Sequence, residues 1–573
     1  MKKLLTVLIF TIAVLTLTVC ASYPDANPTV RVGLFYGKST LPSANLQNIE
    51  GSGYRFGFFD STHRFISQYS VSGTNKISML KDKNLYYSNG TIYTSAQTGG
   101  KLIGAYHIQL NGAFATAEEA RAKATSLNIQ GISAFPVVSG GTYKVRVGSY
   151  GTLLNAQSDA VKYTSLGATT SVGNSDKCVT VIDTTNGKIL FEYDNGCYLA
   201  VYPSLGEVDM PLTWFKGYKY YGGFEYVRDS GDISVTNYVP MQEYVKGVIP
   251  YEMSASWPIE ALKAQSVCAR TYALYNYGKH GKNFDICNTT DCQVYRGMNS
   301  ANANSNKAVD DTNGVYILYD GKPICAVFSS SDGGATEDSE NVWSAVLPYL
   351  RGVYDNNEDL DSITNGRWSF TYTADELTNI LNAKGYSCAK VANMYVKEFT
   401  AMGNVKTLTI VDINGKEFNF SKERARTILY SSTYKKYTHS QRYKVTKGGP
   451  SSAISTPVTP SASILFVNNS SNTLSFAYDK IFAVGAGGTQ QLGSSSPVTI
   501  LTSSGKTILS ANSSQSQLPQ QTLSSDSFTV SGTGWGHNLG MSQYGAKALA
   551  NKGKTYEDIL HFYYTDVELY RAE

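Results

Sequence analysis

Between Pro258 and Gly278 the chain reads as one long helix of a constrained kind. Ala261, Ala264, Cys268, Tyr272 and Tyr275 recur at three- and four-residue spacing and form a stripe that is mostly small. Such a stripe lets a neighbouring element approach closely, so the helix is expected to sit inside the protein. Pro258 suits a first helical turn, Ser254 and Ser256 are the candidate caps, and Gly278 is the expected stop. Just before it, Glu252 stands among Ile249, Pro250, Tyr251, Met253 and Trp257, at what reads as a helix mouth. Apolar walls disfavour the charged form of a carboxyl and raise its pKa, which lets the group give up a proton near neutrality. Spacing alone favours a buried structural helix with an incidental surface glutamate in front of it.

At 573 residues the chain has material for several domains with real cores. A net charge of +4, without a dense Lys/Arg run, does not point to nucleic acid. Charged residues are scarce while Tyr, Ser, Gly, Asn and Thr are abundant, the profile of a secreted protein, and Tyr suits sugar faces as well as cores. Met1-Lys2-Lys3 is followed by an uncharged run from Leu4 to Val19, with Ala21 as a small-residue cleavage position. Residues 1–21 are therefore expected to be a signal peptide, or an N-terminal anchor, since the run approaches the roughly 18 residues needed to span a bilayer. Leu17-Thr18-Val19-Cys20 resembles a lipoprotein box, although Val19 is bulky where such boxes take a small residue. The expected location is extracytoplasmic, with membrane contact only through this leader.

The cysteines beyond Cys20 are odd in number, which argues against a complete disulfide framework. Cys178 and Cys197 are candidates for a bridge, and Cys268 on the packed helix reads as a small buried hydrophobe. His280, Cys287 and Cys292 follow the helix closely. Two soft thiolates and an imidazole suit zinc, with water as a fourth ligand, while Cys287 and Cys292 equally suit a small-loop disulfide.

Thr29 to Tyr36 and Gly53 to Phe59 alternate like strands, and are expected to join a domain completed later in the chain. From Ala105 the pattern runs strand, helix (Ala117 to Leu127), strand (Thr142 to Tyr150), helix (Leu153 to Lys162). Cys178 to Val245 reads as closely spaced strands with turns at Asn186-Gly187 and Asp194-Asn195-Gly196. Gly314 to Phe328 reads as a hairpin about Asp320-Gly321, Asp355 to Asp361 as a surface loop, and Thr373 to Lys384 as a helix. Gly448 to Ser463, rich in Ser, Thr and Pro, reads as a linker, and short strands follow to about Asp526.

The strand phrases ending in Gly112-Ala113-Phe114 and Val147-Gly148-Ser149-Tyr150 resemble the SPOR domain, a small module that binds peptidoglycan strands stripped of their stem peptides. On that resemblance Tyr106, Gln109, Tyr143 and Arg146 are candidate sugar contacts, although alternating strand residues are more often core than ligand.

Three further motifs resemble the stage II sporulation protein D (SpoIID) and amidase-enhancer family. They are Val239 to Val248 with the Glu252 helix, Ser329 to Glu340 with Val342-Trp343, and Gly534 to Ala546, continuing to Ala550 and Tyr556 to Tyr564. The family's usual Glu-Met-Pro and Gly-His-Gly appear here as Glu252-Met253-Ser254 and Gly536-His537-Asn538, so the turns at Ser254 and Asn538 are expected to differ slightly.

The resemblance implies an α+β fold, a mixed helix-and-sheet catalytic domain assembled from discontinuous segments. A small α/β SPOR module and a β-rich insert near the C-terminus interrupt it. The expected order is leader 1–21, β-rich segment 22–100, SPOR module 101–175, catalytic domain 176–447, linker 448–463, insert 464–526 and a completing motif 527–573.

The implied function is a peptidoglycan lytic transglycosylase active in sporulation, cleaving the β-1,4 bond between N-acetylmuramic acid and N-acetylglucosamine to leave a 1,6-anhydro end. An ordinary glycosidase needs a second carboxylate, whereas here the sugar's own C6 hydroxyl attacks, so Glu252 serves as acid and then base. His537 is the supporting site residue, and Ser542 and Gln543 are candidate sugar hydrogen-bonders. The resemblance also implies zinc near His280, Cys287 and Cys292, although the acid/base cleavage does not require a metal. The expected partners are glycan strands, an amidase and engulfment proteins. The competing reading is a wall-binding, non-enzymatic amidase enhancer, with Glu252 a surface contact.

Overall fold

The computed structural model describes residues 24–448, apart from 168, 174, 197, 205–209, 211 and 229–230, then the paired strands within 464–509, and residues 526–573. The expected leader, the linker and the Cys197 half of the expected bridge lie outside the described residues.

Helices and sheets are mixed throughout. A seven-stranded sheet has the order Ile286–Cys287, Thr29–Phe35, Ser234–Pro240, Gly223–Val227, Tyr198–Pro203, Tyr54–Phe59, Phe65–Val71. The early strands are thus completed by later sequence. Thr29–Phe35 pairs antiparallel with Ser234–Pro240, with Val30 opposite Val239 and Val32 opposite Asn237.

The SPOR strands Thr169–Val172, Tyr106–Leu110, Thr142–Tyr150 and Ala134–Ser139 open a ten-stranded sheet. Ala134–Ser139 pairs in parallel with Lys188–Asp194, so hydrogen bonding runs on across the boundary expected at 175. Two helices, Ala117–Ile129 and Leu153–Ala160, cover one face of the SPOR strands. The first starts at a capping box in which the Thr116 hydroxyl accepts the Glu119 N–H and the Glu119 carboxylate accepts the Thr116 N–H. The two large sheets share one apolar core, where Phe56 of one meets Phe191 of the other at 4.4 Å between ring centroids.

Two helices then set the candidate site. The Ser234–Pro240 strand runs straight into a Met241–Glu252 helix, which buries Tyr244, Val245, Val248 and Ile249. After a short turn the Ile259–Tyr275 helix begins, with Pro258 as its N-cap and no side-chain cap. Ser254 and Ser256 hydrogen-bond each other at 2.9 Å instead of capping, and Asn276, two residues before Gly278, is the C-cap. Ala261, Ala264 and Cys268 are fully buried as their size suggests, but Tyr275 is 46% exposed, so the close-packed stripe ends a turn early. Cys268 Sγ lies 3.3 Å from the Tyr564 hydroxyl and 3.9 Å from Met541 Sδ, which docks the C-terminal motif on this helix.

A second core forms around Trp368, Tyr372, Leu377 and Ile410, with the Ala374–Ala383 helix where the pattern placed it. Here Ser527–Thr533 is the central strand between Arg367–Thr373 and Tyr443–Lys447, so the sequence from 448 to 526 leaves and re-enters one sheet. The strands within 464–509 pair as successive hairpins. Val315–Tyr319 and Lys322–Pro323 form the expected hairpin, with Asp320 and Gly321 both at positive φ. It is shorter than expected, because Phe328–Ser329 pairs in parallel with Met541–Ser542 instead.

Candidate active site

Glu252 is the last residue of the Met241 helix, not the first of the next. The negative end of that helix dipole therefore adds to burial in disfavouring its charge. Its carboxyl is raised above the usual value, chiefly by burial, against the stabilising hydrogen bonds from the Val294 N–H (3.2 Å at Oε1) and the Gln543 side chain. It faces a cleft of about 470 Å3 whose walls include Gln293, Ser330, Trp343, Trp535, His537 and Gln543. Segments near residues 252, 293, 330, 343 and 540 thus meet around one carboxyl.

His537 stands in this cleft with its ring 5.6 Å from that of Trp343. Its Nδ1 accepts the Leu539 N–H at 3.1 Å, which leaves the proton on Nε2. Burial, reinforced by the Arg426 charge, pushes its pKa down to about 4, so the ring is neutral near pH 7. Gly536 has φ +136°, and a Cβ there would come within 2.4 Å of Ser329 Cβ, so this close approach of two cleft walls demands glycine. Asn538 adopts a left-handed φ of 62°, the conformation a glycine would favour, and is anchored by its side-chain nitrogen donating to the Asp332 carbonyl at 2.6 Å. That accounts for the departure from Gly-His-Gly. Trp535 stays 42% exposed beside the opening, 4.9 Å from the His439 ring.

Gln543 donates Nε2 to Gln265 Oε1 at 3.4 Å and also bonds Glu252. Ser542 is different. It is fully buried, caps the Gln543–Asn551 helix by accepting the Gly545 N–H at 3.2 Å, and donates to Glu358, so it is not offered to a sugar.

The four SPOR candidates do not share a face. Tyr106 and Tyr143 pack on the helix side of the sheet, and the Tyr143 hydroxyl donates to the Gln68 carbonyl at 2.8 Å, outside the module. Arg146 turns to the other side, is 6% exposed, and donates to Glu192 at 2.7 Å and Asp194 at 3.3 Å. Gln109 accepts from Arg146 Nε at 3.4 Å. The Arg146 donors are therefore committed to Glu192, Asp194 and the Gln109 amide, which corrects its reading as a sugar contact, and Tyr143 is a joint residue.

Beside the cleft, His280, Cys287, Asp291 and Cys292 each bring one ligand-type atom to within 4.8 Å of the others. His280 Nε2 lies 3.3 Å from Cys292 Sγ, and both cysteines are free thiols. Hydrogen bonding from Cys292, helped by Thr289, holds the Cys287 thiol below its usual range. Asp291 completes a four-donor set that sequence reasoning left to water, and its position beside Cys292 was the available signal. Gln265, Gln293 and Trp343 were also missed as site residues. Gln265, a fully buried polar residue amid the alanine stripe, was the visible anomaly.

This half-buried carboxyl at a strand–helix–helix junction, faced by a glycine-rich histidine turn, lies within the segment that a known family matches. Residues 229–319 match the family described as Stage II sporulation protein, and residues 103–168 match the SPOR domain. The chain thus carries a SpoIID-family segment and a SPOR domain. It is similar to the amidase enhancer of Bacillus subtilis (32% identity, 57% of this chain and 40% of that protein). It is also similar to stage II sporulation protein D of the same organism (26% identity, 59% of this chain and 77% of that protein). An uncharacterized protein of Brachyspira hyodysenteriae is 44% identical over 24% of this chain and 38% of its own length. The chain thus spans well under half the length of two of these relatives.

Proposed function

We propose that the chain is an extracytoplasmic cell-wall enzyme of sporulation, a lytic transglycosylase on peptide-stripped peptidoglycan strands. The observation that carries this reading is Glu252, a carboxyl of raised pKa set in a cleft with two defined hydrogen-bond donors. Protonated Glu252 gives its proton to the glycosidic oxygen as the C1–O bond breaks. The C6 hydroxyl oxygen of the same muramic acid then bonds C1 and returns its proton to the Glu252 carboxylate, so no water is consumed. The Val294 N–H and the Gln543 amide stabilise the carboxylate between the two transfers. His537, neutral and with Nδ1 engaged, shapes the wall, and Trp535 offers a sugar a stacking face.

Asp291 also lines the cleft, but its side chain is 63% exposed and lies 3.2 Å from Lys279 Nζ. It belongs to the His280–Cys287–Cys292 cluster, whose nitrogen, sulfur and oxygen donors fit a four-coordinate zinc. Zinc there would cross-link the loop that carries Gln293 and Val294 to the cleft, a structural role. Elemental analysis of reduced protein tests it, and less than about half an equivalent of zinc overturns it.

The SPOR domain would hold the same stripped strands and raise local substrate concentration. Among the described residues no helix is long and apolar enough to cross a membrane, so anchoring would fall to the leader.

Mass spectrometry of stripped glycan incubated with purified protein decides the reaction: 1,6-anhydro ends with wild type and none with Glu252→Gln. Hydrolytic reducing ends would instead implicate a second carboxylate. The similarity to an amidase enhancer supports a second, non-enzymatic reading, under which Glu252→Gln leaves amidase stimulation unchanged and wild type yields no cleavage.

A further inference from the structure

Three carboxylates that the proposed chemistry does not use meet behind the cleft wall. Asp332 lies just beyond the Phe328–Ser329 strand, and Asp355 and Glu358 come from the loop before the Arg367–Thr373 strand. One oxygen of each lies within 4.8 Å of the others. Asp332 is 0% exposed and Asp355 1%, while Glu358 is half-buried. Like charges this close inside a protein repel strongly.

Among the described residues no Lys, Arg or His pairs with any of the three. Arg442, which feels Asp332, spends Nη1 on the Met402 carbonyl at 2.7 Å. The donors present are neutral. The Ser331 and Ser542 hydroxyls bond Glu358, the Tyr563 hydroxyl bonds Asp355 at 2.5 Å, and the Asn357 amide bonds it at 2.8 Å.

A separate observation points to a missing positive charge. Asp332 Oδ2 is sealed inside with no amide, hydroxyl or cationic donor, only the Asp355 carboxyl beside it, and Oδ1 of Asn538, whose side-chain nitrogen bonds the Asp332 carbonyl, is likewise sealed without a donor. Buried acceptors of this kind are costly unless something binds them.

We propose that Asp332, Asp355 and Glu358 form a site for a hard divalent cation of the Ca²⁺ type. The donors are oxygen only, which suits Ca²⁺ and not the sulfur- and nitrogen-seeking metals that the His280 cluster suits. The bound ion would join the Asp332 turn, the Asp355–Glu358 loop and, through Ser542 on Glu358, the Met541–Ser542 strand. Those pieces carry Ser330, His537 and Gln543 into the cleft, so the ion would brace one wall of the active site without touching substrate.

The test uses the full chain, stripped of calcium on a chelating resin and with its zinc content measured. Tb³⁺ is added as a luminescent Ca²⁺ surrogate that Tyr563 sensitises, and Ca²⁺ is titrated against it. Wild type should bind about one Tb³⁺ that Ca²⁺ displaces, and millimolar Ca²⁺ should raise its melting temperature by a few degrees. Glu358→Gln and Asp355→Asn should lose both responses, while Glu358→Gln without calcium should be at least as stable as wild type, since one of three repelling charges is gone. Less than about half an equivalent on wild type, or a Glu358→Gln protein that still responds to Ca²⁺, overturns the proposal. A wild type indifferent to Ca²⁺ beside a stabilised Glu358→Gln also overturns it, in favour of a shared proton. If both variants fail to fold, the wild-type stoichiometry and displacement still decide.

Discussion

Replacing Arg146 with Met tests how the SPOR strands are joined to the rest of the ten-stranded sheet. Glu192 is 0% exposed and holds three partners: Arg146 Nη1 at 2.7 Å, His107 Nε2 at 2.9 Å and the Thr180 hydroxyl at 3.2 Å. Burial alone would raise its pKa, yet His107 and Arg146 outweigh burial and hold it at about 2 against an ordinary 4.5. Arg146→Met leaves the carboxylate half-compensated in the interior, and the expected loss is about 3–5 kcal/mol at neutral pH, the usual result of breaking a buried pair. Adding Glu192→Leu removes the stranded charge and should recover most of that loss. Urea unfolding followed by pulse proteolysis, with cleavage mapped across residues 105–195, reads both. A single variant within about 1 kcal/mol of wild type, or a double variant no better than the single, would refute the account. Glycan binding by the folded double variant should persist, because the Arg146 donors never faced outward.

The same joint should be pH-sensitive. Glu192, lowered to about 2, contributes stability that is present above about pH 4.5 and is lost as pH falls toward 2. Asp82, raised to about 7 by burial and by Glu192, and His107, raised by Glu192 against the effect of burial, contribute stability lost as pH rises through their folded values. Protection factors at residues 106–110, corrected for the intrinsic pH dependence of exchange, should therefore be largest in mildly acidic buffer, and largest protection at pH 8 would contradict this. For catalysis, the raised Glu252 pKa means that the protonated acid persists to higher pH than for an ordinary glutamate, and activity falls as pH passes through it. Gln543→Ala removes a donor to the carboxylate, so the alkaline limb of the pH–rate profile should move up while the rate drops; an unmoved limb would count against that contact. Gly536→Ala drives a Cβ against Ser329, and thermal unfolding should show a loss of about 1–3 kcal/mol together with lost cleavage.

Local signals carried through where local physics decides. The Ala117 and Ala374 helices start at Thr-x-x-Glu capping boxes, the Asp320-Gly321 turn closes its hairpin, and the alanine stripe is buried. The Met241–Glu252 helix was hidden by Pro250, which reads as a breaker but falls in the last turn, where burial of Val245, Val248 and Ile249 outweighs the lost hydrogen bond. Two placements were legible from pattern. Tyr106 and Gln109 differ by an odd number of residues and so point to opposite faces of a strand, and Ser542 precedes a helical run as caps do. The meeting of Asp332 with Asp355 and Glu358, and the turn of Arg146 toward Glu192, depend on long-range packing that no window of sequence contains.

The continuous sheet alters what a SPOR domain can do for the proposed enzyme. A flexibly tethered binding module raises local substrate concentration and leaves the approach to the cleft free. Here the module's Ala134–Ser139 strand is hydrogen-bonded to Lys188–Asp194, Tyr143 reaches out to Gln68, and Arg146 is locked to Glu192 and Asp194. A strand held by this module would meet the Glu252 cleft at a fixed separation and angle, so linkage would confer register as well as concentration. Fragment lengths on long stripped strands should then cluster about a preferred spacing. Loosening the joint with Arg146→Met alone should broaden that distribution while the cleavage chemistry at Glu252 is retained, and adding Glu192→Leu should narrow it again.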